Sequence, residues 1–253
     1  MDRWQGKIAV VTGASAGIGA AICKKFVEEG INVVGFARRK EKVEELSKSI
    51  NGKDGAILHA LKVDITVEDD VVAAFKYTAE KFGPISILVN NAGIIQNTTL
   101  YDGDTNCWRK VFDTNVLGLC IATREAINIM RRHNVDGHII HINSVSGHRV
   151  PPIPCTNVYS ASKFAVTSLA QTLSNELKAL GSRIKVTSIS PGYVETEIVK
   201  VNGFLQNETI TKLEKSAPRM YPVDIANAAA YVIRTPPHVQ VSELILQPLG
   251  EPV

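Results

Sequence analysis

Short runs of strand-forming residues alternate with longer helical patterns along the chain of 253 residues. Seven runs read as strands, at 7–12, 31–36, 56–63, 85–90, 138–143, 183–190 and 242–246. Helix-length segments lie between them, at 17–29, 40–50, 67–82, about 105–133, 158–180 and 223–234. Several strands are apolar at consecutive positions, as expected for strands that helices cover on both faces. The alternation predicts right-handed crossovers and therefore an α/β fold, a doubly wound parallel sheet with helices on both faces.

The composition is that of an ordinary globular chain and shows no division into parts. Hydrophobic residues make up 45% and charged residues 21%, and no Gly/Ser linker, repeat or low-complexity stretch interrupts the pattern. We therefore expect a single domain over 1–253. The formal net charge is only +3 and no long Lys/Arg run occurs, which argues against a nucleic-acid partner.

Cysteine usage and the apolar runs bear on metal binding and on location. Four cysteines occur without a CxxC pair or a neighbouring His cluster, namely Cys23, Cys107, Cys120 and Cys155. We expect no metal site and no disulfide framework, which fits a reducing compartment. No apolar signal core follows the first residues, and the apolar run at 8–11 is far shorter than the roughly 20 residues of a membrane span. A cytoplasmic location without a transmembrane segment is the expectation.

The segment TGASAGIG, at 12–19, follows the first predicted strand and opens the first predicted helix. Its glycines, Gly13, Gly17 and Gly19, permit a tight turn in which backbone N–H groups approach a pyrophosphate at the helix N-terminus. A glycine-rich turn without a ligand is the alternative. The strand–turn–helix context favours dinucleotide binding.

The end of the second predicted strand bears on which dinucleotide is bound. An acidic residue near this point hydrogen-bonds the adenosine ribose in NAD-binding folds, but here Arg38 and Arg39 occupy the position. Guanidinium groups bind phosphate well, so the pair indicates a 2′-phosphate and therefore NADP(H). The alternative is two solvated arginines at a helix start, where positive charge is slightly unfavourable.

Polar residues also follow the third and fourth predicted strands. Asp64 ends the third, and the fourth runs into NNAG, which contains Asn91, Ala92 and Gly93. Because the carboxyl ends of parallel strands line the ligand crevice, Asp64 could accept a bond from adenine and the NNAG residues could flank the adenosine. Each could instead be an ordinary turn residue.

The segment YSASK, at 159–163, places a tyrosine and a lysine on one face of a predicted helix. Tyrosine has a free pKa near 10, but a neighbouring ammonium and a nicotinamide cation would favour its phenolate. Tyr159 could then exchange a proton with an alcohol or carbonyl compound. Taken alone, the pair is more simply explained as a surface Tyr/Lys pair.

Two further polar residues complete a recognisable set. Ser144 follows the fifth predicted strand in INSVSG, and Asn115 lies inside the predicted long helix in DTNVLG. In this order and spacing, TGxxxGxG, NNAG, a helix Asn, a Ser and YxxxK resemble the short-chain dehydrogenase/reductase family, through SPGYVETE at 190–197. The resemblance implies a Rossmann fold and NADP(H)-dependent oxidoreduction.

The resemblance also implies a role for each matching position. The phosphate turn would comprise Gly13, Ser15, Ala16, Gly17, Ile18 and Gly19. The NADP-selecting pair would be Arg38 and Arg39. Contacts to adenosine would come from Asp64, Ile65, Asn91, Ala92 and Gly93. The catalytic tetrad would be Asn115, Ser144, Tyr159 and Lys163, with Tyr159 and Lys163 also touching the cofactor. The nicotinamide-side loop would contain Pro191, Gly192, Val194 and Thr196, with Val194 offering backbone bonds to the carboxamide.

Two departures from the family pattern stand out. Ser144 lies slightly farther before Tyr159 than is usual, and Ser146 would restore the shorter spacing. We favour Ser144 because a glycine follows it after two residues, with the extra length in the proline-rich loop 148–157. The C-terminal strand ends in LQPLGEPV instead of the frequent Asp-Gly-Gly, which leaves the subunit contact there open.

A narrower resemblance concerns the substrate. The segments CIATREA, DGHIIHINSVSGHRVPP and ISPGYVETE look like the subgroup of dehydrogenase/reductase member eleven and the insect farnesol dehydrogenases. This implies apolar alcohol and carbonyl substrates such as isoprenoids or steroids. The wider family resemblance implies a homodimer or homotetramer paired through the long helices at 105–133 and 158–180, with a monomer that has ordinary amphipathic helices as the alternative. A non-enzymatic NADP-binding sensor or scaffold on the same fold is the alternative.

Three segments should border the substrate, at 94–101, 148–157 and 197–222, the last forming most of a lid at about 195–220. Their apolar residues suit a hydrophobic alcohol or carbonyl compound, although the same residues could pack the lid or form a subunit contact. The candidates are Ile95, Leu100, Tyr101, Val150, Pro152, Ile153, Pro154, Ile198, Val201, Phe204 and Leu205.

Overall fold

The computed structural model describes residues 1–154, 156–198 and 216–251. Its strands are β1 (Ile8–Thr12), β2 (Asn32–Ala37), β3 (Leu58–Lys62), β4 (Ile85–Asn90), β5 (His138–Ile142), β6 (Lys185–Pro191) and β7 (Glu243–Leu246). The helices are α1 (Gly17–Glu28), α2 (Lys40–Lys48), α3 (Glu68–Phe82), α4 (Thr105–Phe112), α5 (Gly118–Arg132), α6 (Val158–Ala179) and α7 (Pro222–Arg234).

The seven strands form one sheet in the order β3-β2-β1-β4-β5-β6-β7, and every neighbouring pair is parallel. The order runs one way from β1 to β3 and the other way from β4 onward, so the switch point lies between β1 and β4. The predicted fold class, a doubly wound parallel sheet of the Rossmann type, is confirmed. The third strand begins at Leu58, two residues later than predicted, because the turn Lys53–Gly55 bonds Ala56 N to Lys53 O.

Helices cover both faces of the sheet, as predicted. On one face, α1 and α7 contribute Phe26 and Ile225 to a core with the strands. On the other, α3 and α5 contribute Phe75 and Met130. All four side chains are completely buried, and burying one such side chain contributes about 1.5–3 kcal/mol. The core therefore fixes the strand ends that carry the candidate site.

The helix predicted over about 105–133 is helical throughout 105–132, but it contains a turn of a different type. A π-helical turn, Asp113–Leu117, separates α4 from α5, with Gly118 N donating to Asp113 O. A Cβ atom on Gly118 would lie 2.6 Å from Ile65 O. The chain thus passes close to the loop after β3 at this point. Single π-turns of this kind are frequent at functional sites.

The C-terminal end of α7 is closed by residues distant in sequence. Trp4 Nε1 and an Arg3 guanidinium nitrogen donate to Ile233 O at 2.7 and 3.2 Å. The buried Lys185 Nζ donates to Thr235 Oγ1 at 2.8 Å and Val239 O at 2.7 Å. Burial, and then the charge of Arg3, lower the pKa of Lys185 to about 8. The donors from Trp4 and Arg3 satisfy a carbonyl that the helix end leaves unpaired, and Lys185 holds the loop that follows.

The expected lid at 195–220 lies largely outside the described residues, as do Cys155, Val201, Phe204 and Leu205. Its two described ends are joined by a short parallel bridge. Glu195 N donates to Met220 O at 2.9 Å, and Met220 N donates to Tyr193 O at 3.0 Å. Across the described ranges, no helix has the length and apolar character needed to cross a membrane.

Candidate active site

The glycine turn after β1 is locked by contacts with the end of β4. Gly13 has a φ of +69°, and a Cβ atom there would lie 2.9 Å from Ala92 Cα. A Cβ atom on Gly19 would lie 2.4 Å from Asn91 Nδ2. Only glycine fits these two positions without displacing the neighbouring strand end.

Asn91 and Thr12 make the bonds that hold this turn. Asn91 Nδ2 donates to Thr12 O at 2.9 Å and to Gly13 O at 3.2 Å. The backbone nitrogens of Asn91 and Ala92 both reach Thr12 Oγ1 at 3.0 Å. The amide group of Asn91, expected to contact adenosine, is therefore used to hold the turn. Sequence reasoning missed Thr12, because it ends an apolar strand and carries no local sign of the contact.

The N-terminus of α1 has the character of an anion site. Ala16 is its N-cap residue, no side chain caps the helix, and its first turn contains no acid. The first turn of α3, by contrast, contains Glu68, Asp69 and Asp70. A helix start that lacks such compensation favours a bound anion, because its N–H groups and dipole remain available. The turn therefore fits the pyrophosphate of a dinucleotide.

Arg39 lies directly beside this turn. An Nη atom of Arg39 donates to Ser15 Oγ at 3.4 Å and to Glu197 Oε2 at 3.2 Å. Arg38 is exposed. A guanidinium is thus present where the sequence placed a 2′-phosphate, but an acid that sequence reasoning missed shares it. No pattern around Glu197 announces this contact, since Arg39 and Glu197 are far apart in the chain.

Asp64, expected to contact adenine, forms a local turn. Its Oδ1 accepts from Thr66 N at 3.0 Å and Thr66 Oγ1 at 2.7 Å. Burial raises the pKa of this carboxyl, but the bonds from Thr66 and the charge of Arg38 outweigh it, and the pKa lies below its ordinary value. Asp64 is therefore an oriented carboxylate at the carboxyl edge, with Ile65 beside it.

Tyr159 and Lys163 lie in the first two turns of α6, which Asn157 caps with its side chain. The Lys163 Nζ is buried, donates to Ile142 O at 3.0 Å and lies 5.8 Å from the centre of the Tyr159 ring. Burial lowers the pKa of Lys163 to about 8. The alternative of a surface Tyr/Lys pair does not hold, because the ammonium group of Lys163 is enclosed between α6 and the end of β5.

Ser144 is the serine that meets Tyr159. Burial raises the pKa of Tyr159, and a hydrogen bond with Ser144 opposes the rise. Ser144 Oγ also accepts from Ser146 N at 3.1 Å, so Ser146 supports Ser144 through its backbone. The expected lowering of the Tyr159 pKa is not found in the chain by itself, because burial outweighs the bond with Ser144.

Asn115 links the π-turn to the loop after β4 and to α6. Its Oδ1 accepts from Ile94 N at 2.8 Å, and its Nδ2 donates to Ile94 O at 2.9 Å and Ser162 Oγ at 3.0 Å. Ser162 Oγ in turn donates to Tyr159 O at 2.6 Å. Sequence reasoning missed Ser162, although it stands inside YSASK. Its place on α6, directly before Lys163, was the only sequence signal that could have pointed to it.

We expect Ser162→Ala to lower kcat while leaving cofactor affinity unchanged. The substitution removes one of the bonds that orient Asn115 and the bond to Tyr159 O, which should also reduce the free energy of unfolding by about 1–3 kcal/mol. Ser168→Ala, at an exposed position of α6, is the matched control. A kcat for Ser162→Ala equal to that of the control would contradict a positioning role.

The loop after β6 passes over the glycine turn. Thr196 Cγ2 lies 3.2 Å from the place a Cβ atom of Gly17 would take. The bridge to Met220 uses Tyr193 O and Glu195 N. The backbone N–H and C=O of Val194 therefore point away from Met220. Pro191 ends β6.

The C-terminal segment supports this loop. A Cβ atom on Gly192 would lie 2.1 Å from Glu251 Oε2, and Tyr193 N donates to Glu251 Oε1 at 2.8 Å. The unusual ending LQPLGEPV therefore supplies a carboxylate that braces the loop after β6. The absence of the Asp-Gly-Gly ending is evident from the sequence, but the contact of Glu251 with this loop is not.

The first of the segments expected to border the substrate, 94–101, is bonded to the start of α6, and several apolar side chains of these segments are exposed. Asn157 Nδ2 donates to Gln96 O at 3.2 Å and Thr98 O at 2.6 Å. Leu100, Tyr101 and Val150 are 66%, 87% and 71% exposed. The remaining described candidates are Ile95, Pro152, Ile153, Pro154 and Ile198, with Ile95, Ile153 and Ile198 partly buried and Pro152 and Pro154 exposed.

Comparisons with known proteins agree with this arrangement. The short chain dehydrogenase family model matches residues 7–203. A farnesol dehydrogenase of Aedes aegypti is 49% identical over 99% of both chains, and dehydrogenase/reductase SDR family member 11 of Bos taurus is 41% identical over 98% of both.

Solved structures are similar over almost the whole chain. The closed form of serine dehydrogenase complexed with NADP+ matches with a TM-score of 0.87 at 30% identity, covering 97% of this chain and 96% of that one. A short-chain dehydrogenase/reductase from Burkholderia phymatum in complex with NAD matches with a TM-score of 0.85 at 26% identity, covering 97% and 90%. The family resemblance inferred from the motifs is therefore confirmed, and the chain belongs to the short-chain dehydrogenase family of oxidoreductases.

Proposed function

We propose that this protein is an NADP-dependent oxidoreductase that interconverts a hydrophobic alcohol and its carbonyl compound. The observation that carries the proposal is the contact of Tyr159 with Ser144, beside the enclosed Lys163, at the strand edge that also holds the glycine turn. Similarity to a farnesol dehydrogenase over 99% of both chains supports an isoprenoid or another bulky apolar substrate.

In this mechanism, Tyr159 is the acid/base. In the oxidation direction its phenolate takes the hydroxyl proton of the alcohol, and in reduction the phenol returns a proton to the carbonyl oxygen. Ser144 holds the same oxygen and polarises it. When bound, the nicotinamide accepts or supplies the hydride, and its oxidised ring adds positive charge to the site. Lys163, as an ammonium, favours the phenolate.

Asn115 and Lys163 keep the proton route in place. Asn115 is fixed by three hydrogen bonds to Ile94 and Ser162, so we assign it the support of a water relay toward solvent. Lys163 would also donate to the ribose. The remaining cofactor contacts are proposed for Gly13, Ser15, Ala16, Gly17, Ile18, Gly19, Asp64, Ile65, Asn91, Ala92, Gly93, Pro191, Gly192, Val194 and Thr196.

The choice of NADP over NAD rests on Arg39, with Arg38 as its neighbour. Arg39 lies within hydrogen-bond reach of Ser15 in the glycine turn, and no acid occurs at 35–40 to accept a bond from a free ribose hydroxyl. A charge-assisted bond to phosphate is among the stronger ones available. Arg39 is thus the residue we assign to selectivity.

We expect Arg39→Ala to weaken NADP binding by about ten- to a hundredfold, because it removes a hydrogen bond to a charged group worth about 1.5–3 kcal/mol. NAD binding should change little. Lys48→Ala, which removes an exposed positive charge at the far end of α2, controls for net charge. Equal losses for NADP and NAD would contradict the assignment.

The experiment for the proposed function is a turnover assay that follows the absorbance of reduced nicotinamide, with NADP and NAD in parallel. Farnesol, a hydroxysteroid and a short secondary alcohol would be compared, with the matching carbonyl compounds in reverse. We expect turnover with NADP and a bulky apolar substrate. Tight NADP binding with no turnover would instead favour the alternative, a non-enzymatic sensor or scaffold. The sequence signature of that alternative would be a degraded tetrad.

Quaternary structure and location belong to the same proposal. In this family the long helices that correspond to α5 and α6 pair across a two-fold axis, so we propose a homodimer or homotetramer of single-domain chains. We also propose a cytoplasmic enzyme with a lid near 195–220. Light scattering would test the oligomeric state, and cell fractionation would test the location.

A further inference from the structure

Glu197 occupies an unexpected position beside the cations assigned to the cofactor. Its Oε2 lies 3.2 Å from an Arg39 guanidinium nitrogen, and its Oε1 lies 3.6 Å from Lys42 Nζ. The residue before it, Thr196, packs over Gly17 of the glycine turn. The carboxylate therefore lies where the chain gathers positive charge next to the phosphate turn.

We propose that Glu197 is a specificity-determining residue, an internal counter-anion that competes with the 2′-phosphate of the cofactor for Arg39 and Lys42. The inference rests on the proposed function, in which Arg39 binds that phosphate. Glu197 then holds Arg39 in place when no phosphate is present and reduces the affinity for NADP. It should have no such effect on NAD, which carries a hydroxyl group instead.

The exposure of the three side chains allows this competition. Their exposed fractions are 43% for Arg39, 41% for Lys42 and 47% for Glu197. Ion pairs this exposed are weak, so a phosphate that carries nearly two negative charges can displace the carboxylate. The hydrogen bond from Arg39 is the largest influence on the pKa of Glu197, which lies below its ordinary value. Glu197 is therefore ionised at neutral pH and repels an incoming phosphate.

A binding measurement separates Glu197 from catalysis. Isothermal titration calorimetry would compare adenosine 2′,5′-bisphosphate with adenosine 5′-monophosphate, which differ only in the 2′-phosphate. We expect Glu197→Gln to tighten binding of the bisphosphate by about three- to tenfold at low salt, with no change for the monophosphate. The gain should shrink as salt is raised, because it is electrostatic.

Two further variants make the test specific. Glu44→Gln removes an acid that pairs with Lys40 at 3.0 Å on α2, so it changes net charge without touching Arg39 and should leave both affinities unchanged. In the Arg39→Ala background, Glu197→Gln should lose most of its effect. An unchanged or weaker bisphosphate affinity in Glu197→Gln would overturn the inference and mark Glu197 as a support for Arg39. Equal wild-type affinities for the two probes, insensitive to Arg39→Ala, would overturn the NADP assignment itself.

Discussion

Tyr159→Phe is expected to lower turnover by about a thousandfold, within the range usual for loss of general acid–base catalysis. The substitution removes only the hydroxyl group, which is the atom that exchanges the proton. The ring and its packing beside Ser144 and Lys163 remain, so NADP affinity and thermal stability should stay near those of the parent. Stopped-flow and steady-state turnover, with NADP binding measured on the same samples, would check this.

A matched control is available on the opposite face of the sheet. Tyr231→Phe makes the same chemical change at an exposed position of α7 and should leave turnover unchanged. If Tyr159→Phe turned over within tenfold of the parent, the role given to Tyr159 would be refuted. Loss of NADP binding together with turnover would mean that the hydroxyl serves binding instead of proton transfer.

Lys163→Met is expected to lower turnover by about a hundredfold or more. Tyr159 is buried enough for its pKa to lie above the ordinary value, so without the ammonium the phenolate would be rarer still. Burial lowers the pKa of Lys163 to about 8, and in the chain alone the lysine is therefore a cation below that pH and loses its charge above it. A change of turnover with pH that is caused by Lys163 in the parent should therefore be missing from the pH profile of Lys163→Met.

The second buried lysine separates catalysis from stability. Lys185 has a similarly lowered pKa, about 8, but it serves the end of α7. Lys185→Met should reduce the free energy of unfolding by about 1–3 kcal/mol, because buried carbonyls lose their donor, with kcat preserved. Because the folded pKa lies below the unfolded one, protonation of Lys185 disfavours the fold, and this penalty disappears as pH rises from about 8 to the ordinary value of 10.5. Reduced turnover in Lys185→Met and unchanged turnover in Lys163→Met would contradict these assignments.

Much of the architecture could be predicted from local sequence, because the strands are apolar runs and the helices are longer periodic segments. The position of the π-turn inside the helix predicted at about 105–133 could not be predicted in this way. The helical pattern continues through Asp113–Leu117, and the π-turn lies where Gly118 closely approaches Ile65. That approach is a tertiary contact between distant parts of the chain.

The candidate site shows the same division. Tyr159, Lys163 and Ser144 could be predicted because each follows a strand or opens a helix within a recognisable motif. The supporting contacts of Thr12 and Glu251 could not, since each joins residues far apart in sequence. The sequence points to the groups proposed to react, whereas the bonds that orient them emerge only once the sheet brings the strand ends together.

The most direct test of the central claim uses farnesol in which both hydrogens of the carbinol carbon are replaced by deuterium, incubated with NADP+ and the wild-type protein. Oxidation breaks a carbon–deuterium bond, the hydroxyl proton goes to Tyr159, and the deuterium leaves with the electron pair. We predict that mass spectrometry finds one deuterium in each NADPH formed, in equal amount to the aldehyde. Aldehyde without labelled NADPH, or no aldehyde from any bulky apolar alcohol despite NADP binding, would contradict the account.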